Sequence, residues 1–422
     1  MARKKLTLLM TVGIGIGVSG NQDMANRLST SILHTRPDFI IFFVTEQSKE
    51  NINFIYDYIK DDYDSFEEGV DYKLVFINDI DDFNECFRIY SDELYRIYNK
   101  DKVFVDYTSG TRTMTAAIAC AGMFYNCNLL TVSGYRSEGI IKKGTELIRS
   151  QNLYTVKDEI LYPIICNFFD DCRFIPAIKF INLLIAPDFN KDDMINLFKA
   201  YDYLDNVNFN EAYSLLKDIP LDNEYLESIE SGVKSNIKSL GMICNSHHEN
   251  LKNCYILASL INNARRRAEE HKFDDAIARL YRSFELIGQI KLNQYGIITS
   301  NVDLSLLKEH NISDTFLEQL ETYKDEGKIR IGLVMDYNLL NELGDPLGKY
   351  FVENSKHIIN ITSKRNNSIL AHGLESQSEE NYQIFEELVI TLAKKLDKDM
   401  NRFLKETKFP RFELDVLNKD NK

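Results

Sequence analysis

The first limits on this 422-residue sequence come from what it lacks. No run of about 18 uncharged apolar residues occurs, so nothing in it reads as a membrane-spanning helix. Its seven cysteines (Cys86, Cys120, Cys127, Cys166, Cys172, Cys244 and Cys254) are odd in number, scattered, and contain no CxxC pair. That pattern supports neither a disulfide framework nor a zinc site, and it fits a reducing cytoplasm. Only seven prolines and no low-complexity tract leave no obvious flexible linker. Positive charge is short too: Lys+Arg 50 against Asp+Glu 64 gives a net charge of -14. A basic coat that grips long nucleic acid is therefore excluded, and no stable DNA binding is expected. A locally basic pocket remains open.

What is present is an ordinary soluble composition, 44% hydrophobic and 27% charged, with length for two or three domains of about 100–200 residues. The start, Met1-Ala-Arg-Lys-Lys followed by an apolar run, briefly mimics a signal peptide. It then enters a glycine loop with no small-residue cleavage site, so it reads as a first buried strand.

Short apolar runs at 6–12, 39–45, 72–77, 103–107 and 129–133 predict buried strands. Between them, 23–33, 50–60, 82–98 and 113–125 carry helical spacing. This alternation predicts an α/β, Rossmann-like parallel sheet with helices on both faces. Beyond about residue 150 the strand signals fade. Helical periodicity marks 160–169, 177–184, 192–204, 210–216, 223–240, 250–270, 273–295, 337–343, 357–370 and 379–406. The expected organisation is a sheet domain over 1–155, a helical connecting region over 156–248 and an all-α domain over 249–422. A frayed, charged tail is expected after Pro410.

Two turns at predicted strand ends are unusually equipped. One is Thr11-Val-Gly13-Ile-Gly15-Ile-Gly17-Val-Ser19-Gly20; the other is Asp106-Tyr107-Thr108-Ser109-Gly110-Thr111-Arg112-Thr113. In open α/β sheets ligands bind at the carboxyl ends of strands, where helix N-termini offer N–H groups to anions. Glycines admit a phosphate to the backbone, Thr and Ser hydroxyls donate to it, and Arg112 supplies a cation. Gly15, Gly17 and Gly20 also satisfy the dinucleotide fingerprint, with Glu46 as a ribose ligand, which would suit a nicotinamide oxidoreductase. No catalytic constellation for hydride transfer accompanies it. A third reading leaves the glycines as tight-turn residues only.

In the helical half, Arg365 and Asn366 precede His372 by seven and six residues. On one continuous helix, seven residues turn about 700°, so Arg365 and His372 would share a face. Gly373 stands at the helix-ending position, where the dipole favours an imidazolium. Such a group suits RNA cleavage, with His moving a proton while Arg and Asn hold the phosphate. Spacing alone is unspecific: with 18 Arg and 7 His, about one Arg-x4–6-His match arises by chance. Arg27…His34 is another on one face, and Arg265 and Arg266 stand before His271 off-face. A solvated Arg and a capping His is the plainer alternative.

Together the two halves resemble the CARF–HEPN ribonucleases of type III CRISPR systems. The loops TVGIGIG and DYTSGTRTMTAA are similar to those of CARF domains, and Arg365-Asn366-x5-His372 to the HEPN motif. Phe273-Asp-Asp-Ala-Ile-Ala-Arg-Leu-Tyr-Arg-Ser-Phe-Glu-Leu-Ile-Gly-Gln resembles the helix upstream of that motif. The resemblance implies a cytoplasmic homodimer whose CARF pair binds a cyclic oligoadenylate, cyclic tetra-adenylate being favoured and hexa-adenylate the other ring. The paired HEPN domains would then cut single-stranded RNA without metal or another cofactor. It assigns Arg365, Asn366 and His372 as catalytic, and Thr11, Gly13, Gly15, Thr108, Ser109, Gly110, Thr111 and Arg112 to the ligand site. Some CARF domains degrade their activator, which Thr108, Ser109 and Arg112 would support. A sensor whose helical half only binds a partner is the competing expectation.

Overall fold

A computed structural model describes residues 4–15, 20–63, 65–137, 140–151, 154–366, 370 and 373–412. The chain divides into two units, 1–161 with 184–187, and 162–183 with 188–422.

The first unit alternates β1 (Leu6–Thr11), α1 (Gly20–Thr35), β2 (Phe39–Val44), α2 (Asn51–Ile59), β3 (Tyr72–Phe76), α3 (Phe83–Ile97), β4 (Lys102–Asp106), α4 (Arg112–Phe124) and β5 (Asn128–Ser133). The strands lie in the order β3-β2-β1-β4-β5, all parallel, with Thr7 paired to Phe39 on one side and Val103 on the other. Successive side chains of a strand point to opposite faces, so each central strand feeds two cores. Leu8, Met10, Ile40 and Phe42 pack with Met24, Leu28 and Ile55 of α1 and α2. Leu9, Ile41, Phe43 and Val105 pack with Tyr90, Leu94 and Ala117 of α3 and α4. Burial on both faces explains why these strands read as unbroken apolar runs. A small hairpin, β6 (Arg136–Ser137) and β7 (Ile140–Ile141), precedes β8 (Leu147–Gln151), which closes the sheet antiparallel to β5. Sequence reading misses β8 because Leu-Ile-Arg-Ser-Gln is an exposed edge with no apolar run.

Helix α5 (Tyr154–Asp170) leads out of that unit. In the second unit follow α6 (Phe174–Leu183), α7 (Lys191–Asp205), α8 (Phe209–Leu216), α9 (Glu227–Asn245), α10 (Glu249–Glu269) and α11 (Phe273–Gln294). Then come α12 (Leu304–Glu309), α13 (Asp314–Glu321), the hairpin β9 (Lys324–Asp325) and β10 (Lys328–Ile329), α14 (Leu333–Glu342), α15 (Pro346–Glu353), α16 (Ser355–Asn366), α17 (Glu379–Leu396) and α18 (Met400–Glu406). One core runs from Ile243 on α9 through α10, α11, α14 and α17 to Leu404 on α18. At its centre Phe284, Tyr337 and Phe351 stand with ring centroids 4.8 Å apart along the series.

Residues 407–412 form a strap over the earlier helices of this unit. Asn236 donates to the carbonyls of Glu406 and Lys408 at 2.9 and 3.0 Å, and Asn262 donates to that of Leu404 at 2.8 Å. Phe409 packs on Tyr201 and under the Arg266 guanidinium, which is 3.6 Å from its centroid. Arg266 and Arg267 share Asp205 at 2.8 and 2.6 Å. Phe412 reaches Phe169, and its N–H donates to Asp170 at 2.8 Å. The expected fraying after Pro410 therefore fails at Phe412, which is buried because aromatic partners await it. The remaining tail, 413–422, lies outside the described residues.

The expected helix over 357–370 also needs correction. Helix α16 is described as far as Asn366, residues 367–369 lie outside the described residues, and Leu370 already lies in a turn. Two successive asparagines compete for backbone hydrogen bonds and favour helix ends over interiors. His372, like 367–369, lies outside the described residues, and with it the expected shared face with Arg365.

Candidate ligand and nuclease sites

The order β3-β2-β1-β4-β5 places the reversal of winding between β1 and β4, where open sheets leave a crevice at the carboxyl ends. Both glycine loops emerge there and touch. Thr11 donates its hydroxyl to the Ser109 carbonyl, and the Gly13 N–H donates to Ser109 Oγ at 3.1 Å. A Cβ on Gly13 would sit 2.9 Å from the Gly110 nitrogen, so only glycine permits this approach. Gly110 has φ +117°, in the region that disfavours side chains. The Gly13 carbonyl accepts from Asn51 Nδ2 at 2.9 Å, fixing the loop to α2.

Beneath the second loop, Asp106 is fully buried and accepts the Thr108 N–H at 2.6 Å. Burial pushes its carboxyl up, against the opposing hydrogen bond from Thr108. Thr108 Oγ1 accepts the Val132 N–H at 2.9 Å, which holds the loop to β5. Thr111 caps α4: its Oγ1 accepts the Met114 N–H at 3.2 Å and donates to the Ile80 carbonyl at 2.9 Å. Arg112 is exposed in the first turn of α4.

A cavity of about 450 Å³ opens at these strand ends, within the range of small-molecule sites. Of the eight sequence candidates, Gly13, Gly110 and Thr111 line it. Thr11, Thr108 and Ser109 instead brace the loops, while Gly15 donates its N–H to Asn21 at 2.8 Å. The rest of the wall escaped sequence reading: Ile14, Thr45, Gln47, Ser48, Phe76 and Asn78, among others, and Glu46 figured only as a ribose ligand. These residues directly follow β1, β2 and β3 or end them. Collecting the residues after every predicted parallel strand, rather than glycine loops alone, would have found most of them.

In the helical unit, Arg365 sits one residue before the end of α16, with its guanidinium 4.3 Å from the Tyr281 ring centroid on α11. Such a stack orients a guanidinium without consuming its hydrogen-bond donors. Burial, aided by Glu285 and opposed by Arg365, pushes the Tyr281 phenol up, so the ring stays neutral beneath the cation. Glu285 Oε2 lies 3.3 Å from Arg282 on the same helix. Tyr281 is the residue here that sequence reading passed over, although it lies within the quoted upstream helix. Asn366 ends α16, and His372 falls outside the described residues.

Residues 246–396 match the family model described as the Csm6 HEPN domain, a span that contains Tyr281, Arg365, Asn366 and His372. In this chain a doubly wound α/β domain precedes the matched span. The fold as a whole is similar to that of a solved Csm6. The structure titled Enterococcus italicus Csm6 bound to cyclic hexa-2'-fluoro-hexa-dAMP superposes with a TM-score of 0.67 at 14% identity, covering 96% of this chain and 98% of that one. Can2 from Sulfobacillus thermosulfidooxidans in complex with cyclic tetra-adenylate (cA4) matches at a TM-score of 0.25 and 10% identity, over 50% of this chain and 66% of that one. The latter score is too low to bear on the fold. Among curated proteins none matches the chain. Among the described residues no helix is long and apolar enough to cross a membrane.

Proposed function

We propose that this chain is a cyclic-oligoadenylate-activated, metal-independent endoribonuclease of type III CRISPR defence that works as a homodimer. The observation that carries the reading is the HEPN match over 246–396, which encloses the Arg365…His372 segment. The cavity at the sheet's switch point supports the sensing half. A cyclic oligoadenylate presents phosphates and adenines together. The Gly13 and Gly110 backbones and the α4 N-terminus would meet the phosphates, while Ile14, Phe76 and Met114 would meet the bases. Each copy would hold part of the ring across the two-fold axis. The domain roles follow: sensing in 1–155, cleavage in 249–422, and transmission between them through 156–248.

Cleavage follows from the residue types. The RNA 2'-oxygen attacks the adjacent phosphorus as its proton is withdrawn. The bond from phosphorus to the 5'-oxygen breaks, and a proton is delivered to that leaving oxygen. The products are a 2',3'-cyclic phosphate and a 5'-hydroxyl. His372 moves the proton, while Arg365 and Asn366 hold the phosphate oxygens on which charge develops. Tyr281 keeps Arg365 aimed. Degradation of the activator by the loop of Thr108, Ser109 and Arg112 is a second activity of the same reading.

The test is cleavage of a fluorogenic single-stranded RNA in EDTA, with no activator or with cyclic tri-, tetra- or hexa-adenylate. Cyclic hexa-adenylate is tried beside the tetra ring because the Enterococcus neighbour holds a six-membered analogue. One ring is expected to switch on cutting, and His372→Ala to abolish it. Binding of a ring without cutting would leave a non-nuclease sensor, and silence without binding would overturn the reading.

A further inference from the structure

The amino ends of β4 and β5 lie at the edge of the sheet opposite the ligand cavity, and there the first unit exposes aromatic rings. Tyr95 is 69% and Phe124 68% exposed, on α3 and α4, far more than a folding core would leave in water. They are the ends of one connected series. Tyr95 to Tyr98 is 6.2 Å between centroids, Tyr98 to Tyr125 5.2 Å, and Tyr125 to Phe124 5.2 Å. A cleft of about 570 Å³ runs beside the two middle rings and is lined by Lys4, Lys102, Asp101 and Asn128.

Charge on this face favours an anion. Lys4 and Lys102 line the cleft, Lys100 is exposed near it in sequence, and Lys157 reaches Asn126 at 2.5 Å. The nearby acids are already engaged. Asp101 accepts the Thr7 hydroxyl at 2.7 Å, Asp92 lies 3.8 Å from Arg88, and Glu93 holds both Lys73 and Arg96. On a chain of net charge -14, a local excess of lysine beside open rings is a specific arrangement. Aromatic faces interleaved with cations are the general device for holding single strands: bases stack on the rings while lysines meet the phosphates.

We infer that the series Tyr95–Tyr98–Tyr125–Phe124, with Lys102 and Lys4, is a stacking site for single-stranded RNA, separate from the candidate nuclease residues. The choice of RNA over other single strands rests on the proposed nuclease function. The site would retain substrate near the enzyme without reading its sequence.

The test uses the full chain carrying His372→Ala, so that RNA survives, and a fluorescein-labelled 20-nucleotide single strand followed by anisotropy. Tyr95→Ala and Phe124→Ala are each expected to weaken binding about tenfold, one stacked base per ring. Lys102→Gln is expected to reduce the salt slope by about one phosphate's share. Both rings are exposed, so their loss spares the core, and an unchanged thermal transition checks this. An unchanged Kd in the Tyr95→Ala/Phe124→Ala double variant overturns the site. A shift in sedimentation from dimer to monomer with RNA binding intact also overturns it, by making the face a protein interface. If the wild-type chain cuts no RNA with any ring yet both ring variants weaken binding, the nuclease reading falls and the stacking site stands.

Discussion

Replacing Asp336 with asparagine isolates the effect of one carboxyl placed deep in the helical unit. Asp336 is 1% exposed on α14, and among the described residues neither of its oxygens meets a hydrogen-bond donor. It packs toward α11 at Gly288, where an added Cβ would come within 3.4 Å of its own Cβ. Burial, with Glu285 adding to it and Arg282 opposing, pushes the carboxyl up to about 8. An aspartate in an unfolded chain titrates near ~3.9. Because the folded value is the higher one, the unfolded chain loses its proton first as pH rises. The group's contribution to stability is complete below about pH 4, declines steadily, and is exhausted above about pH 8. About four pH units at ~1.36 kcal/mol each amount to roughly 5 kcal/mol between these limits. The asparagine side chain of the Asp336→Asn variant cannot ionise, so this slope vanishes. What remains is a pH-independent cost of about 1–3 kcal/mol for a buried, unpaired amide. Hydrogen exchange of α11 and α14 peptides at pH 5, 7 and 9, corrected for intrinsic rates, reads the opening free energy directly. The wild type should lose several kcal/mol relative to Asp336→Asn across that range and be the less stable of the two at pH 9. Parallel curves for the two proteins would refute the assignment of a protonated Asp336.

Two further outcomes follow from contacts at the candidate sites. Tyr281→Ala removes the ring under Arg365 and should slow activated RNA cleavage about tenfold, in line with a stack of about 0.5–2 kcal/mol, whereas Tyr281→Phe keeps the ring face and most of the rate. Equal loss in both, measured with the fluorogenic RNA, would assign the effect to the phenol instead. Gly110→Ala forces a side chain onto φ +117° with Met114 Cβ and Thr11 Oγ1 both 3.3 Å away. About 1–3 kcal/mol of strain should lower the melting of the first unit and weaken cyclic oligoadenylate binding by calorimetry; a wild-type melt and affinity would contradict the loop geometry.

The sheet was legible because its five parallel strands are apolar enough to stand out, and two of them, β1 and β2, are buried almost throughout. The edge strand β8 was not, since an exposed antiparallel edge carries no apolar signature. Helix α15 announces itself through Asp345-Pro346, an N-cap followed by proline at the first turn, a local signal that periodicity over longer windows averages away. The expected helix over 379–406 breaks at Asp397, whose φ -146° and ψ 129° are extended, although the apolar pattern continues into α18. Periodicity reports which residues are buried, not whether the backbone between them is continuous. In the cavity at the strand ends, glycines signalled the loops, while Phe76 and Asn78 had no local mark because their place in the wall comes from where β3 ends.

The strap at 407–412 has a consequence for how the protein is made. Tyr201, Phe169 and Arg266 belong to helices synthesised roughly 140 to 240 residues before their partners Phe409 and Phe412. While the chain is still growing from the ribosome, those rings and that guanidinium lack the surfaces they finally meet. The α/β unit holds its own cores and can form as soon as residue 151 has emerged. The helical unit instead completes this packing only once Phe412 has emerged, so a chain cut short before Phe409 carries a folded α/β unit and an unfinished helical unit.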